Sequence, residues 1–129
     1  MTHAKGTFDV KMTPQPERAG ADAVPGRFSL DKRFHGDLEG TSKGQMLAAS
    51  TAVPGSAGYV AIERFEGTLG GRQGAFVLQH NATMTRGAPE LHIVVVPDSG
   101  TGDLAGISGS MTIVIEDGKH IYAFDFTLA

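Results

Sequence analysis

Along most of this chain apolar and polar residues alternate one for one, in runs of Val, Ile, Phe, Tyr and Thr that end at Gly, Pro, Asn or Asp. Side chains on an extended strand point to opposite faces in turn, so this period marks strands with one buried face. Windows with the i, i+3, i+4 apolar stripe of a helix are scarce. The alternation predicts about eight strands, at 7–13, 27–38, 44–50, 58–69, 74–84, 91–96, 110–116 and 120–128. Gly70-Gly71 and Asp117-Gly118 separate long alternating runs, the pattern of two-residue hairpin loops, so each flanking pair should be antiparallel neighbours. Pro14, Pro16 and the stretch from Ala19 to Gly26 predict a first loop, the segment expected to move most, and Pro97 to Asp103 a second, compact one.

Sequential antiparallel strands without helices between them leave a closed barrel or a two-sheet sandwich. Closure removes exposed edges, so the expected architecture is an all-β, eight-stranded antiparallel up-and-down β-barrel filling residues 1–129 as one domain. A barrel of about eight strands has an interior that side chains just fill, or that holds one small ligand. The 129 residues suit a single core. With no cysteine, disulfides, thiolate metal sites and Cys nucleophiles are excluded. Eleven Lys and Arg against 14 Asp and Glu, with no basic cluster, exclude the electrostatic footprint of a nucleic-acid binder. No stretch approaches the roughly 18 apolar residues that span a bilayer, and the first residues lack an apolar leader, so a soluble, cytoplasmic protein without a membrane partner is expected.

The alternation also sorts polar residues onto apolar faces. Lys32 shares a face with Phe28, Leu30, Phe34 and Leu38; Glu63 with Tyr59, Ala61 and Phe65; His80 with Phe76, Leu78, Ala82 and Met84. The last strand places His120, Tyr122, Phe124 and Phe126 together. Lys32, Glu63 and His80, with Tyr59 and Tyr122, are therefore candidates for a polar cluster in an apolar lumen. Val60 and Ile62 fall on the opposite face of their strand, where an apolar pair suits a contact between copies, and a homo-oligomer is expected.

Several blocks carry a resemblance: Lys32-Arg33-Phe34-His35-Gly36-Asp37-Leu38-Glu39-Gly40-Thr41-Ser42, the run from Gly58 through Glu63-Arg64-Phe65-Glu66-Gly67-Thr68 to Arg72, Gly74 to His80, Ser99-Gly100-Thr101-Gly102-Asp103-Leu104-Ala105-Gly106-Ile107, and the closing His120-Ile121-Tyr122-Ala123-Phe124-Asp125-Phe126. In order and spacing they resemble the bacterial proteins of domain of unknown function 3224, over nearly the whole chain. The resemblance implies a small barrel of the allene oxide cyclase kind, and oligomers. It implies no particular reaction.

A carboxylate, an imidazole and an ammonium in one desolvated cavity shift each other's pKa, which is how general acids and bases are poised. One reading has Glu63 or His80 moving a proton on an apolar substrate while Lys32 stabilises negative charge. The other has a buried Lys32–Glu63 ion pair with His80 beside it, filling the barrel and fixing strand register. Three functions follow in order of expectation: a small apolar molecule bound in the lumen against Tyr59, Phe34, Phe76, Tyr122 and Phe124; a cofactor-independent isomerase or cyclase; and a solid structural barrel packed by its phenylalanines. The Ser99-Gly100-Thr101-Gly102 run precedes no helix and reads as a turn, not a phosphate cradle, and neither Ser99 nor Ser108 lies in a nucleophile elbow. The five histidines, His3, His35, His80, His92 and His120, form no close-spaced ligand pair, so no metal is expected. Elemental analysis of protein purified without chelators should find no stoichiometric transition metal.

Overall fold

The predicted strands are present, most of them longer than the alternation marks. The computed structural model describes residues 1–15 and 26–128; of the expected first loop, residues 16–25 lie outside the described residues. The strands are β1 (Thr2–Pro14), β2 (Gly26–Gly36), β3 (Leu38–Ser50), β4 (Ala57–Leu69), β5 (Arg72–Thr85), β6 (Ala88–Val95), β7 (Thr101–Gly102), β8 (Ser108–Glu116) and β9 (Lys119–Thr127). Antiparallel ladders join β1 to β2, β2 to β3, and so on through β6, then β8 and β9. β9 returns to β1, from Thr2↔Phe126 to Phe8↔His120, and closes the eight-stranded barrel. The extra strand, β7, pairs Gly102 with Gly74 on β5 and was not predicted, because two residues carry no periodicity. Among the described residues no helix is long and apolar enough to cross a membrane.

Turn chemistry explains the connections. Gly70 and Gly71 have φ of 57° and 85°, and Asp117 and Gly118 have 49° and 77°, the two successive positive angles of the hairpin turn whose twist matches its strands. Arg86 and Gly87, at 47° and 89°, make a third such hairpin between Thr85 and Ala88 where the sequence suggested a longer loop. The predicted strand 27–38 breaks at Asp37 instead of running through. Gly36 turns with φ 109°, and the Asp37 carboxylate accepts the Lys5 N–H at 2.9 Å. Tyr122 braces the corner: its hydroxyl accepts the Leu38 N–H at 2.9 Å and donates to the His35 carbonyl at 3.0 Å.

The barrel interior is stratified. At the corner end, Phe34, Leu38, Phe65, Leu69, Phe76, Leu78, Tyr122 and Phe124 are buried in one apolar cluster. Its rings touch in series, Phe34 edge-on to Phe65, Phe65 against Phe76, and Phe76 stacked on Phe124, with centroids 5.1 to 5.6 Å apart. The connection from β6 to β8 folds under this end, where buried Leu104 and Ile107 join the cluster and Ser99 Oγ accepts the Val77 N–H at 3.0 Å. A smaller apolar group, Leu30, Met46 and Ala61, lines the other end. Buried Lys32, Ser42, Glu63 and His80 lie on the inward faces between the two.

The wall is uneven. β4 and β5 pair along thirteen residues, but β6 and β8 only through Ile93↔Met111 and Val94↔Ser110. Toward the open end these strands part, leaving a slit edged by Pro89 and Leu91 on one side and Ile113 and Ile115 on the other.

Replacing Tyr122 by Phe keeps the ring in the plug but strands the buried Leu38 N–H. Unfolding in denaturant should show a loss of about 1–3 kcal/mol with an unchanged slope.

Candidate functional site

Three strands bring the polar trio together. Glu63 on β4 is set back two residues from the position facing His80 on β5, since His80 pairs with Ala61. Lys32 comes from β2, on the far side of β3, and has to reach across that strand's inner face. That face is small here: Ser42 lies opposite Lys32, and Gly44 opposite Glu63. A Cβ on Gly44 would run into the Ile62 carbonyl oxygen and stand 2.6 Å from the Glu63 Cα and 2.7 Å from its Cβ, so only glycine lets β3 lie this close to β4 beside Glu63.

Glu63 bridges its two partners. Lys32 Nζ lies 2.9 Å from Oε2 and His80 Nε2 lies 3.2 Å from Oε1. The contacts are close, yet neither carboxylate oxygen nor the His80 Nε2 has the alignment of a hydrogen bond, and the buried Ser42 Oγ has no partner either. Relative exposure is 1% for Glu63, 2% for His80 and 8% for Lys32, which leaves water little room to screen the charges. Burial pushes the Glu63 carboxyl up, but His80 and Lys32 together outweigh it and hold it below its ordinary 4.5. Lys32 Nζ also sits 4.8 Å over the Phe8 ring. Burial, with the Glu63 charge added, raises the Tyr59 phenol, so it stays protonated at neutral pH.

Above the trio the barrel is hollow. A cavity of about 470 Å³ is floored by Lys32 and His80, walled by Phe8, Leu30, Met46 and Ala61, and rimmed by Tyr59, Met84 and Ile115. Glu63 lies beneath this surface. The cavity opens at the end that carries the Arg86-Gly87 turn and reaches the slit between β6 and β8.

The structure thus joins three of the sequence candidates, Lys32, Glu63 and His80, and sets Tyr59 at the mouth with its ring centroid 6.5 Å from that of His80. It places Phe34, Phe76, Tyr122 and Phe124 elsewhere, in the plug below, where none of them lines the cavity. Sequence reasoning missed Phe8, Leu30, Met46 and His120 as lining residues. Phe8, Val10 and Met12 share the inward face of β1 and line the cavity, but a period of two carries no depth. Val60 and Ile62 do point outward, about half exposed, beside Leu47 and a second hollow on the outer wall. His35 and His92 are on the outside, each beside an exposed carboxylate. Among the described residues no three His, Asp or Glu side chains converge as metal ligands.

Comparison with known proteins adds a family. Residues 4–126 match the family model described as a protein of unknown function, DUF3224. The chain is similar to a crystal structure of a DUF3224 protein of unknown function from Shewanella oneidensis, with 53% identity and a TM-score of 0.92, covering 100% of this chain and 98% of that one. No curated protein matches. The allene oxide cyclase likeness implied by the sequence blocks is not part of either match.

Glu63→Gln leaves the Lys32 charge buried and uncompensated, and denaturant unfolding at neutral pH should register a loss of about 3–5 kcal/mol. Adding Lys32→Met should restore most of it. A carboxyl whose folded pKa is lowered stabilises fully above its unfolded value near 4.5, and that stabilisation is lost as pH falls through the folded value. The difference between wild type and Glu63→Gln should therefore shrink in strong acid.

Proposed function

The chain belongs to the DUF3224 family, and on that premise we propose that the hollow half of its barrel binds one small, mainly apolar molecule above the floor made by Lys32 and His80. The observation that carries this reading is the cavity itself. Its volume of about 470 Å³ falls within the range of roughly 300–1,000 Å³ usual for small-molecule sites, and its walls are apolar with a few polar groups converging at one place.

A solid barrel would need its large side chains spread over the whole height. Here Phe34, Phe65, Phe76, Phe124 and Phe126 are all gathered in the plug, while Ala61 and Met46 face the space above it. The other two phenylalanines stand at the sides, Phe8 in the cavity wall and Phe28 against the Leu30, Met46 and Ala61 group, so the space between them is left unfilled. The plug also denies a ligand any path through the barrel, so entry is from the open end or through the slit. Lys32 and His80 give the pocket a buried polar anchor at its floor, with Tyr59, Thr83, Glu90 and His120 as further polar lining, and such an anchor orients a ligand without requiring a charged one.

Native mass spectrometry of protein purified gently from its own host, followed by denaturation, should release a stoichiometric small molecule, and the same spectrum reads the oligomeric state. Ala61→Phe should fill the floor and abolish uptake of an apolar naphthalene fluorophore while the protein remains folded by circular dichroism. Empty protein that also excludes the fluorophore overturns the reading.

A further inference from the structure

Resting on that binding reading, we propose that the ligand is an uncharged apolar molecule with an enolisable carbonyl group, and that the cavity floor exchanges its α-protons. His80 is the general base, Lys32 holds the carbonyl oxygen, and Glu63 is the positioning residue that fixes His80.

The charge at the floor selects the class. Lys32 and Glu63 are of opposite sign 2.9 Å apart, and the walls above them are apolar. A carboxylate ligand would bring a further charge against apolar walls beside an ion pair that already balances, at a cost that an uncharged ligand avoids. A ketone or aldehyde brings none. Its oxygen needs only a donor, and the Lys32 ammonium has three N–H bonds, of which Glu63 Oε2, 2.9 Å from Nζ, can take no more than one.

The imidazole is set up to take a proton. With Nε2 facing the Glu63 carboxylate at 3.2 Å, the base form of the ring keeps its proton on Nε2, and Nδ1 then offers its lone pair from a ring that lines the cavity. A buried carboxylate holding one ring nitrogen so that the other acts as base is the arrangement that serves catalytic histidines generally.

The step balances on these groups alone. An α C–H bond breaks and its proton goes to His80 Nδ1. The C–H electron pair becomes the C=C bond, and the carbonyl π pair moves onto oxygen. With the base form of His80 the floor starts with one positive and one negative charge; afterwards it holds two of each, the imidazolium against Glu63 and the enolate against Lys32. Both pairings are complete only in the enolate state, which is the condition for lowering its barrier. Return of the proton, exchanged with solvent, regenerates the carbonyl. No oxidant, metal or cofactor enters.

The test uses β-tetralone, with tetralin as its hydrocarbon counterpart and β-naphthoate as its carboxylate counterpart, each titrated by calorimetry against the full chain. Exchange of the β-tetralone α-protons in D₂O is followed by proton NMR. Bound β-tetralone should exchange roughly a hundredfold or more faster than in buffer. His80→Gln should return the rate at saturation to that of buffer, with the dissociation constant changed by less than about threefold. Glu63→Gln should lower the saturated rate in the same way, a split that a purely structural trio would not produce. Bound β-tetralone that exchanges no faster than in buffer overturns the proposal and leaves the binding reading standing, and it does so in the wild-type protein, whatever the variants' stability. Tighter binding of β-naphthoate than of β-tetralone overturns the ligand class. If neither β-tetralone nor tetralin binds, the binding reading falls and the proposal with it.

Discussion

Glu63 holds a negative charge inside the barrel, and the structure on either side of it follows from how that charge is kept there. An unpaired carboxylate at such depth would cost several kcal/mol, so a cation has to reach it from across the wall. Lys32 does so over β3, which is why that strand carries Ser42 and Gly44 on its inner face instead of bulk. His80 approaches from the other side. The requirement also fixes register. A slip of β4 by one residue would turn Glu63 to solvent and put Ile62 or Arg64 against Lys32, so the trio and the Gly70-Gly71 hairpin specify the same pairing of β4 with β5.

The layers divide the work of the molecule. The aromatic plug and its cover of Leu104 and Ile107 bury most of the large apolar side chains and brace the corner through Tyr122. That leaves the other half free of the duty to fill itself. The trio is the boundary: it rests on the plug below, where Phe8 and Phe34 meet at 5.2 Å, and presents Lys32 and His80 to the space above. A charged group set on a rigid base keeps its geometry whether or not the cavity is occupied.

Much of this was legible in the sequence, for identifiable reasons. Strict alternation through β2, β4 and β5 put Lys32, Glu63 and His80 inward, and no bulge intervenes to reverse them. The closed order of strands followed from the same period and the glycine turns. What escaped was depth. Strands in a barrel are tilted and staggered, so residues far apart in number, such as Phe8, Leu30, Met46 and Tyr59, line one cavity, while Phe34, two residues from Lys32 on the same inward face, lies in the plug. Alternation reports the face of a residue but not its height. The first half of β3 escaped because its inward residues are Gly40, Ser42 and Gly44, whose smallness serves the neighbours and erases the apolar signal.

The two-pair seam between β6 and β8 makes the barrel less uniform mechanically than its topology suggests. Widening a ring of long ladders would break many hydrogen bonds at once; here the girth of the open half is held across the slit by side chains, not by backbone pairing. The closed half keeps a fixed diameter while the upper half resembles a cup with a slotted side. Pro89, with no N–H to offer, stands on the lip of the slot, so the parted strands do not present a full strand edge to other chains.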